Sequence, residues 1–287
     1  MYTNILVGYD ESESSKAALK EASLRVKSRD GKLVLVHAVF FDQEEFAILP
    51  SQMEKRFESG THVCMQAKKD LQAEFGLNGS VESVVCQGEP PEVIIDIAKE
   101  KKADLIALGT YGRKGLNLFL MGSVTAQVIL NSPCDVLVVK RACAACTGNY
   151  ASLLVPYDGS EFSRKALKRA VELARADNSK LTILYVIPRY EEMMDFFKTD
   201  AIKKSLHLEA EKIIAEAKAI VDAARLPVLT VIREGHAADE IISTADDKEN
   251  DLIVMGTYGW KGVSKAIMGS TTNRVVAHGT RPILVVK

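Results

Sequence analysis

The chain has 287 residues, 47% of them apolar and 26% charged, and its 37 basic and 38 acidic side chains leave a formal net charge of −1. That length suggests two domains of ordinary size, each long enough to bury its own core. The charge balance argues against a broad electrostatic footprint for nucleic acid, and the longest apolar runs, such as VLVV at 136–139, are far too short to span a bilayer. The start, MYTNILVGYDESESS, has no basic segment followed by a long apolar stretch and does not read as a secretory signal. A cytoplasmic protein with neither nucleic acid nor membrane as partner is therefore expected. Five cysteines (Cys64, Cys86, Cys134, Cys143 and Cys146) are an odd number and do not suggest a disulfide framework.

In chain order, ILVGY at 5–9 is a short apolar run that reads as a buried strand. Ser12, Ser14 or Ser15 can cap the helix that follows, which carries Ala17, Ala18, Leu19 and Ala22. KLVLVHAVF at 32–40 is the next strand, and Met53, Phe57, Cys64, Ala67, Leu71 and Phe75 recur with helical spacing. VESVV at 81–85 predicts a strand, and PPEVIIDIAKEKK at 90–102 a helix with prolines where they are best tolerated. DLIALG, a fourteen-residue segment, a helix from about Ser123 to Asn131 and the strand DVLVV follow. The second half repeats this order, with Leu206, Ala210, Ile213, Ala217, Ile220 and Ala224 on one face of its long helix. Such alternation predicts a parallel sheet with helices on both faces, joined by right-handed crossovers, with ligands beyond the carboxyl ends of the strands where their order reverses.

The two halves are copies. GTYGRKGLNLFLMGS from Gly109 answers GTYGWKGVSKAIMGS from Gly256, 147 positions on. NILVGYDES at 4–12 answers SLLVPYDGS at 152–160, and DVLVVK answers PILVVK. A period this long is a duplicated domain, not a solenoid. Domains are expected at 1–141 and 151–287, with a linker of small residues at 142–150.

The repeated motif is neither a Walker A loop nor the GxGxxG dinucleotide turn. It still suits phosphate. Gly109 and Gly112 let backbone approach a ligand and turn with positive φ, while Gly122-Ser123 opens a helix whose unpaired N–H groups face outward. Gly256, Gly259, Gly269, Ser270 and Thr271 offer the same in copy two. The alternative is that these glycines only make turns and caps. The segments between them differ (RKGLNLFLM against WKGVSKAIM) while the glycines do not, which favours the phosphate reading. Asp10 and Asp158 end the first strand of each copy, either to cap the next helix or to accept hydrogen bonds from adenine or ribose. Arg113, Lys114 and Lys261 are candidates to screen phosphate charge.

The pattern G-x2-G-x9-G-S, present twice with an early Asp and a terminal LVVK strand, resembles the universal stress protein family in its tandem form, over essentially the whole chain. The resemblance implies an α/β fold with two copies of a five-stranded parallel sheet, adenine nucleotide alpha hydrolase-like and Rossmann-like. It implies ATP, with Mg2+, as ligand, since family members carrying the motif bind ATP. By resemblance, Asp10 and Asp158 sit by adenine and ribose. Ala38 and Val186 line the adenine, and Leu108 and Met255 lie beside the loop. The glycines with Ser123 and Ser270 hold phosphates, and Val124, Pro156 and Thr271 complete the nucleotide sites. Family dimers pair their last strands, which here implies an internal pseudo-dimer through DVLVV and PILVV and allows a homodimer of chains. Two departures bear on the sites: DESESS stands where copy two has DGSEFS, so the turns after Asp are expected to differ, and Ala38 stands where copy two has Val186.

CAAC at 143–146 has the spacing of a redox pair or half a zinc site, but no second pair completes four ligands. The histidines (His37, His62, His207, His236 and His278) each stand alone; His37 reads as a satisfied core residue, and His236 lies near the expected ligand end. No catalytic triad, GxSxG elbow, HExxH helix or kinase signature is present. The sequence therefore points to an ATP-dependent stress-response regulator or sensor, acting on a protein partner it does not name. The alternatives are a slow ATPase or self-phosphorylating enzyme, and a redox or metal sensor using Cys143 and Cys146.

Overall fold

Short runs of Val, Ile and Leu without polar alternation, as in NILVG, LIALG and DVLVV, suit strands covered on both faces. They form the layer of a computed structural model that describes residues 2–40, 50–77, 79–110, 121–141, 147–189, 200–258 and 268–287. The chain divides into two units, Tyr2–Asn149 and Tyr150–Lys287.

The first unit runs β1 (Asn4–Gly8), α1 (Glu13–Arg29), β2 (Lys32–Val39), α2 (Pro50–Phe75), β3 (Val81–Gln87), α3 (Pro90–Glu100), β4 (Leu105–Gly109), α4 (Ser123–Asn131) and β5 (Asp135–Val139). Its five strands are parallel in the order β3-β2-β1-β4-β5. The central three residues of β1 and all five of β5 are buried. Helices α1 and α2 pack together on one face; α3 and α4 pack together on the other. That split follows from the strand order: β1 to β2 to β3 moves one way, β3 to β4 to β5 returns, and right-handed crossovers put the returning helices on the opposite face.

The second unit repeats this with β6 (Ser152–Pro156), α5 (Glu161–Asp177), β7 (Lys180–Pro188), α6 (Asp200–Ala223), β8 (Val228–Gly235), α7 (Ala237–Asp247), β9 (Leu252–Gly256), α8 (Ser270–His278) and β10 (Ile283–Val286), in the parallel order β8-β7-β6-β9-β10. Helix ends are set by the local chemistry. Helices α1 and α5 stop at Asp30 (φ 51°) and Asn178 (φ 59°), two residue types that enter the left-handed region readily. The helix expected over 90–102 ends at Glu100, because Lys102 takes φ 52° and breaks it.

Candidate functional site

The order of strands reverses between β1 and β4 in the first unit and between β6 and β9 in the second. Val7 pairs with Ala107, so continuing the register brings Asp10 opposite Thr110. Leu154 pairs with Ile253, which brings Asp158 opposite Thr257 in the same way. The acidic turn and the start of the glycine segment therefore share one crevice in each copy, where open α/β sheets hold ligands.

Both aspartates organise the turn into the next helix. Ser12 donates its N–H (3.1 Å) and its hydroxyl (2.6 Å) to Asp10 Oδ1, and its own Oγ accepts the Ser15 N–H at 3.2 Å, making Ser12 the N-cap of α1. In copy two the Ser160 N–H donates to Asp158 Oδ1 at 3.0 Å and Ser160 caps α5 through the Ser163 N–H at 3.2 Å. Asp10 and Asp158 are thus not the caps; they hold the capping serine.

The turns, expected to differ between DES and DGS, have the same form. Glu11 takes φ 64° where Gly159 takes φ 78°. Glycine adopts that conformation at no steric cost and glutamate does not, so Glu11→Gly is expected to raise the stability of the first unit by about 0.5–1 kcal/mol. Chemical denaturation of the two proteins side by side checks this.

Gly109 and Gly256 have a packing reason. A Cβ on Gly109 would lie 2.7 Å from Ser14 C and Ser15 N, and one on Gly256 would lie 2.7 Å from Phe162 Cβ and 2.9 Å from Phe162 C. The place a side chain would take at these two glycines is filled by the first turn of α1 or α5. Neither glycine has positive φ.

Two threonines then clamp the glycine segment at its ends. The Gly122 N–H donates to Thr110 O at 2.8 Å, and the Thr125 hydroxyl donates to Gly109 O at 2.8 Å. In copy two the Gly269 N–H donates to Thr257 O at 3.2 Å, and the Thr272 hydroxyl donates to Gly256 O at 3.0 Å. Sequence reasoning passed over these four threonines, although their identity in both copies, after Gly109 and Gly256 and two residues past Ser123 and Ser270, was a signal for them.

The clamp sets the start of the following helix at the crevice. Gly122 (φ −61°, ψ 143°) and Gly269 (φ −55°, ψ 136°) are the N-caps of α4 and α8, and neither supplies a side-chain acceptor. No acidic residue lies in the first turn of either helix. The neighbouring helix starts are different. Helices α1 and α5 are capped by their serines, α3 opens on two prolines with Glu92, and α7 has Asp239 and Glu240 in its first turn. Ser123 and Ser270 are exposed; Val124 and Thr271 are half-buried. The first-turn amides of α4 and α8 thus lack a side-chain acceptor and an acidic neighbour, and a helix start of this kind favours negative charge.

The remaining candidates fall into three groups. Ala38 and Val186 are half-buried near the ends of β2 and β7, paired with Cys86 and Arg233, and Pro156 is half-buried at the end of β6. Leu108 and Met255 are core side chains, 3% and 5% exposed, so whatever they contribute to the loop is made from within the sheet. Gly112, Gly259, Arg113, Lys114, Lys261, Cys143 and Cys146 lie outside the described residues. His37 is half-buried with Nδ1 2.8 Å from Tyr9 O, and His236 is the exposed N-cap of α7. Cys64, Cys86 and Cys134 form no disulfide. Burial, and then the Glu11 carboxylate, push Cys64 up to about 11, so it stays a thiol at neutral pH.

The tyrosine before each aspartate is held protonated. Burial, with Glu11 next, raises Tyr9 to about 12; burial, with the bond from Tyr157 Oη to Glu216 Oε1 (3.0 Å), raises Tyr157 to about 12. A folded pKa above the usual 10.0 means that their contribution to stability is whole below pH 10 and is lost as the pH rises through about 12. Spectrophotometric titration is expected to show these two phenols ionising last, with unfolding.

A five-stranded parallel layer doubly wound by helices, with its crevice at the reversal, makes this chain a tandem Rossmann-like α/β protein. It belongs to the universal stress protein family, whose sequence profile matches residues 1–140 and again 149–287. A universal stress protein of Mycolicibacterium smegmatis is 25% identical over 289 residues, covering 99% of this chain and 96% of that one. A universal stress protein of Methanocaldococcus jannaschii is 31% identical over 144 residues, covering 48% of this chain and 82% of its own. The crystal structure of a universal stress protein from Archaeoglobus fulgidus superimposes with a TM-score of 0.76 at 22% identity, covering 100% of this chain and 97% of that one, and so shares its fold. No described helix is long and apolar enough to cross a membrane.

Proposed function

We propose that each copy holds an adenine nucleotide, ATP with Mg2+, and that the protein is a cytoplasmic, nucleotide-dependent regulator or sensor in the stress response and not a dedicated enzyme. The observation that carries this reading is the start of α4 and α8: uncapped, free of acidic residues, and clamped into the crevice that also holds Asp10 or Asp158. The amides of Ser123 and Val124, and of Ser270 and Thr271, would receive phosphate oxygens, with the Ser123, Ser270 and Thr271 hydroxyls beside them. Asp10 and Asp158 would accept from ribose hydroxyls while keeping their serines in place. The backbone of Ala38 and Val186 would run along the adenine, with Pro156 below. Mg2+ would be held mainly by the phosphates and water.

The chain's part is to bind and to change surface. Phosphate at the helix start would draw the α4 end, through Gly122, and the β4 end, through Thr110, into one arrangement, and a protein partner would read it. Such coupling between sites is typically worth about 1–3 kcal/mol.

Denaturing freshly purified protein and identifying the released small molecule by mass spectrometry tests the reading. ATP or ADP approaching two per chain supports both sites, and ADP accumulating on incubation would add hydrolysis. No nucleotide released, together with no heat on titration with Mg-ATP, would remove it.

A further inference from the structure

We propose that the two sites are unequal by construction, copy two being the tighter, and that Phe162 is the positioning residue responsible. The inference rests on the nucleotide reading of the crevice and adds to it which copy fills first. Phe162 lies in the first turn of α5, and its ring centroid stands 5.1 Å from that of Tyr258, the second residue after Gly256, at an interplanar angle of 60°. Lys165 Nζ lies 5.8 Å from the same Phe162 ring. The helix that begins at the Asp158 turn is thus joined through a tilted aromatic pair to the strand end that leads into the glycine segment. At the matching place in copy one stands Ser14, a buried side chain whose Oγ is 3.4 Å from Ser12 Oγ and which has no ring to offer.

Two further differences act in the same direction. The Thr257 hydroxyl donates to Val286 O at 3.2 Å, whereas Thr110 Oγ1 is buried with no hydrogen-bond partner among the described residues. The turn after the aspartate carries Glu11 in copy one and Gly159 in copy two. An extra carboxylate beside Asp10 opposes an anionic ligand there, and the influence of Glu11 on Tyr9 and Cys64 places its charge within this neighbourhood. The clamp from Gly269 to Thr257 is longer than its counterpart, 3.2 against 2.8 Å, and this one difference acts the other way. A site whose parts are already held in place loses less freedom when it binds. An aromatic pair of this kind contributes about two- to tenfold in an equilibrium.

The chain also contains its own reporter. Its single tryptophan, Trp260, follows Tyr258 by two positions in the sequence of copy two and has no counterpart in copy one, where Arg113 stands. Titration of the full chain with Mg-ATP, by calorimetry and by tryptophan emission, is the test. Two classes of site differing by about tenfold are expected, with emission following the tighter class. Phe162→Ser should weaken that class about two- to tenfold and leave the other unmoved. Phe162→Leu, which keeps bulk without a ring, should behave like Phe162→Ser and guards against a variant that fails to fold; Phe162→Tyr should restore the wild-type titration. Equal classes, emission that follows the weaker class, or a Phe162→Leu protein with an undiminished tight class would overturn the inequality while leaving the nucleotide reading standing. Absence of binding in either class would overturn the nucleotide reading, and the inequality with it.

Discussion

Gly109→Ala and Gly256→Ala are each expected to destabilise their unit by about 1–3 kcal/mol, among the larger effects of any single methyl group in this protein. The backbone at both positions would accept alanine, since neither has positive φ. The obstacle is steric and cannot be turned aside. Against Gly109 the nearest atoms include Ser14 C and Ser15 N at 2.7 Å, and against Gly256 they include Phe162 C and O at 2.9 Å. These are main-chain atoms of a helix start already fixed by a serine cap, so the whole first turn of α1 or α5 would have to lift from the sheet. Gly60→Ala is the useful contrast: its added methyl would meet the His37 ring at 2.8 Å, a side chain able to give way. Thermal unfolding should show a fall of several degrees for the first two substitutions and a smaller one for Gly60→Ala. An unmoved midpoint in Gly109→Ala would mean that α1 shifts freely, and with it the geometry of the Asp10 turn.

Gly122→Val and Gly269→Val are expected to do the reverse, sparing the fold and removing the ligand. Both N-caps are extended, at φ −61° and −55°, a region that β-branched residues enter easily. Losing a tolerated N-cap residue costs about 0.5–1 kcal/mol. The new isopropyl group would stand over the open amides of α4 or α8. Each charge-assisted hydrogen bond lost is worth about 1.5–3 kcal/mol, so Mg-ATP affinity at the altered copy should fall at least tenfold. Calorimetry on each single variant and on the pair reads this directly: one equivalent of binding should vanish with each substitution. Full retention of both equivalents in the double variant would show that the amides beneath do not hold phosphate.

The organisation of the fold was legible because it rests on local signals. The Val- and Ile-rich runs of β1, β4 and β5 and the serine before α1 are properties of a few adjacent residues. The long period of GTYG and MGS exposed the duplication without reference to any contact. The reversal of strand order at β1 and β4 was foreseeable too, since a β-α alternation joined by right-handed crossovers has few ways to reverse. Among the three serines offered as caps, tertiary structure chose Ser12, and it made Asp10 the residue that holds the cap. The turn difference expected from DES against DGS did not materialise, because the backbone keeps one conformation and Glu11 bears the strain.

What the sequence determined by itself was therefore the repeated α/β unit, the ends of its elements to within a few residues, and the short list from which a site could be drawn. Tertiary structure decided how the members of that list pack and which bonds they make. Gly109 reads as a turn or ligand residue in one dimension, and in three it also has a packing reason, because α1 passes over the end of β4 from nearly a hundred positions earlier in the chain. Thr110 and Thr125 look like ordinary loop and helix residues, yet their bonds to Gly122 and Gly109 close the segment between them. The physical reason is the same in both cases. Periodicity and capping are fixed by neighbours in sequence, whereas the space around a Cβ and the partner of a buried hydroxyl are fixed by whichever element the fold brings alongside.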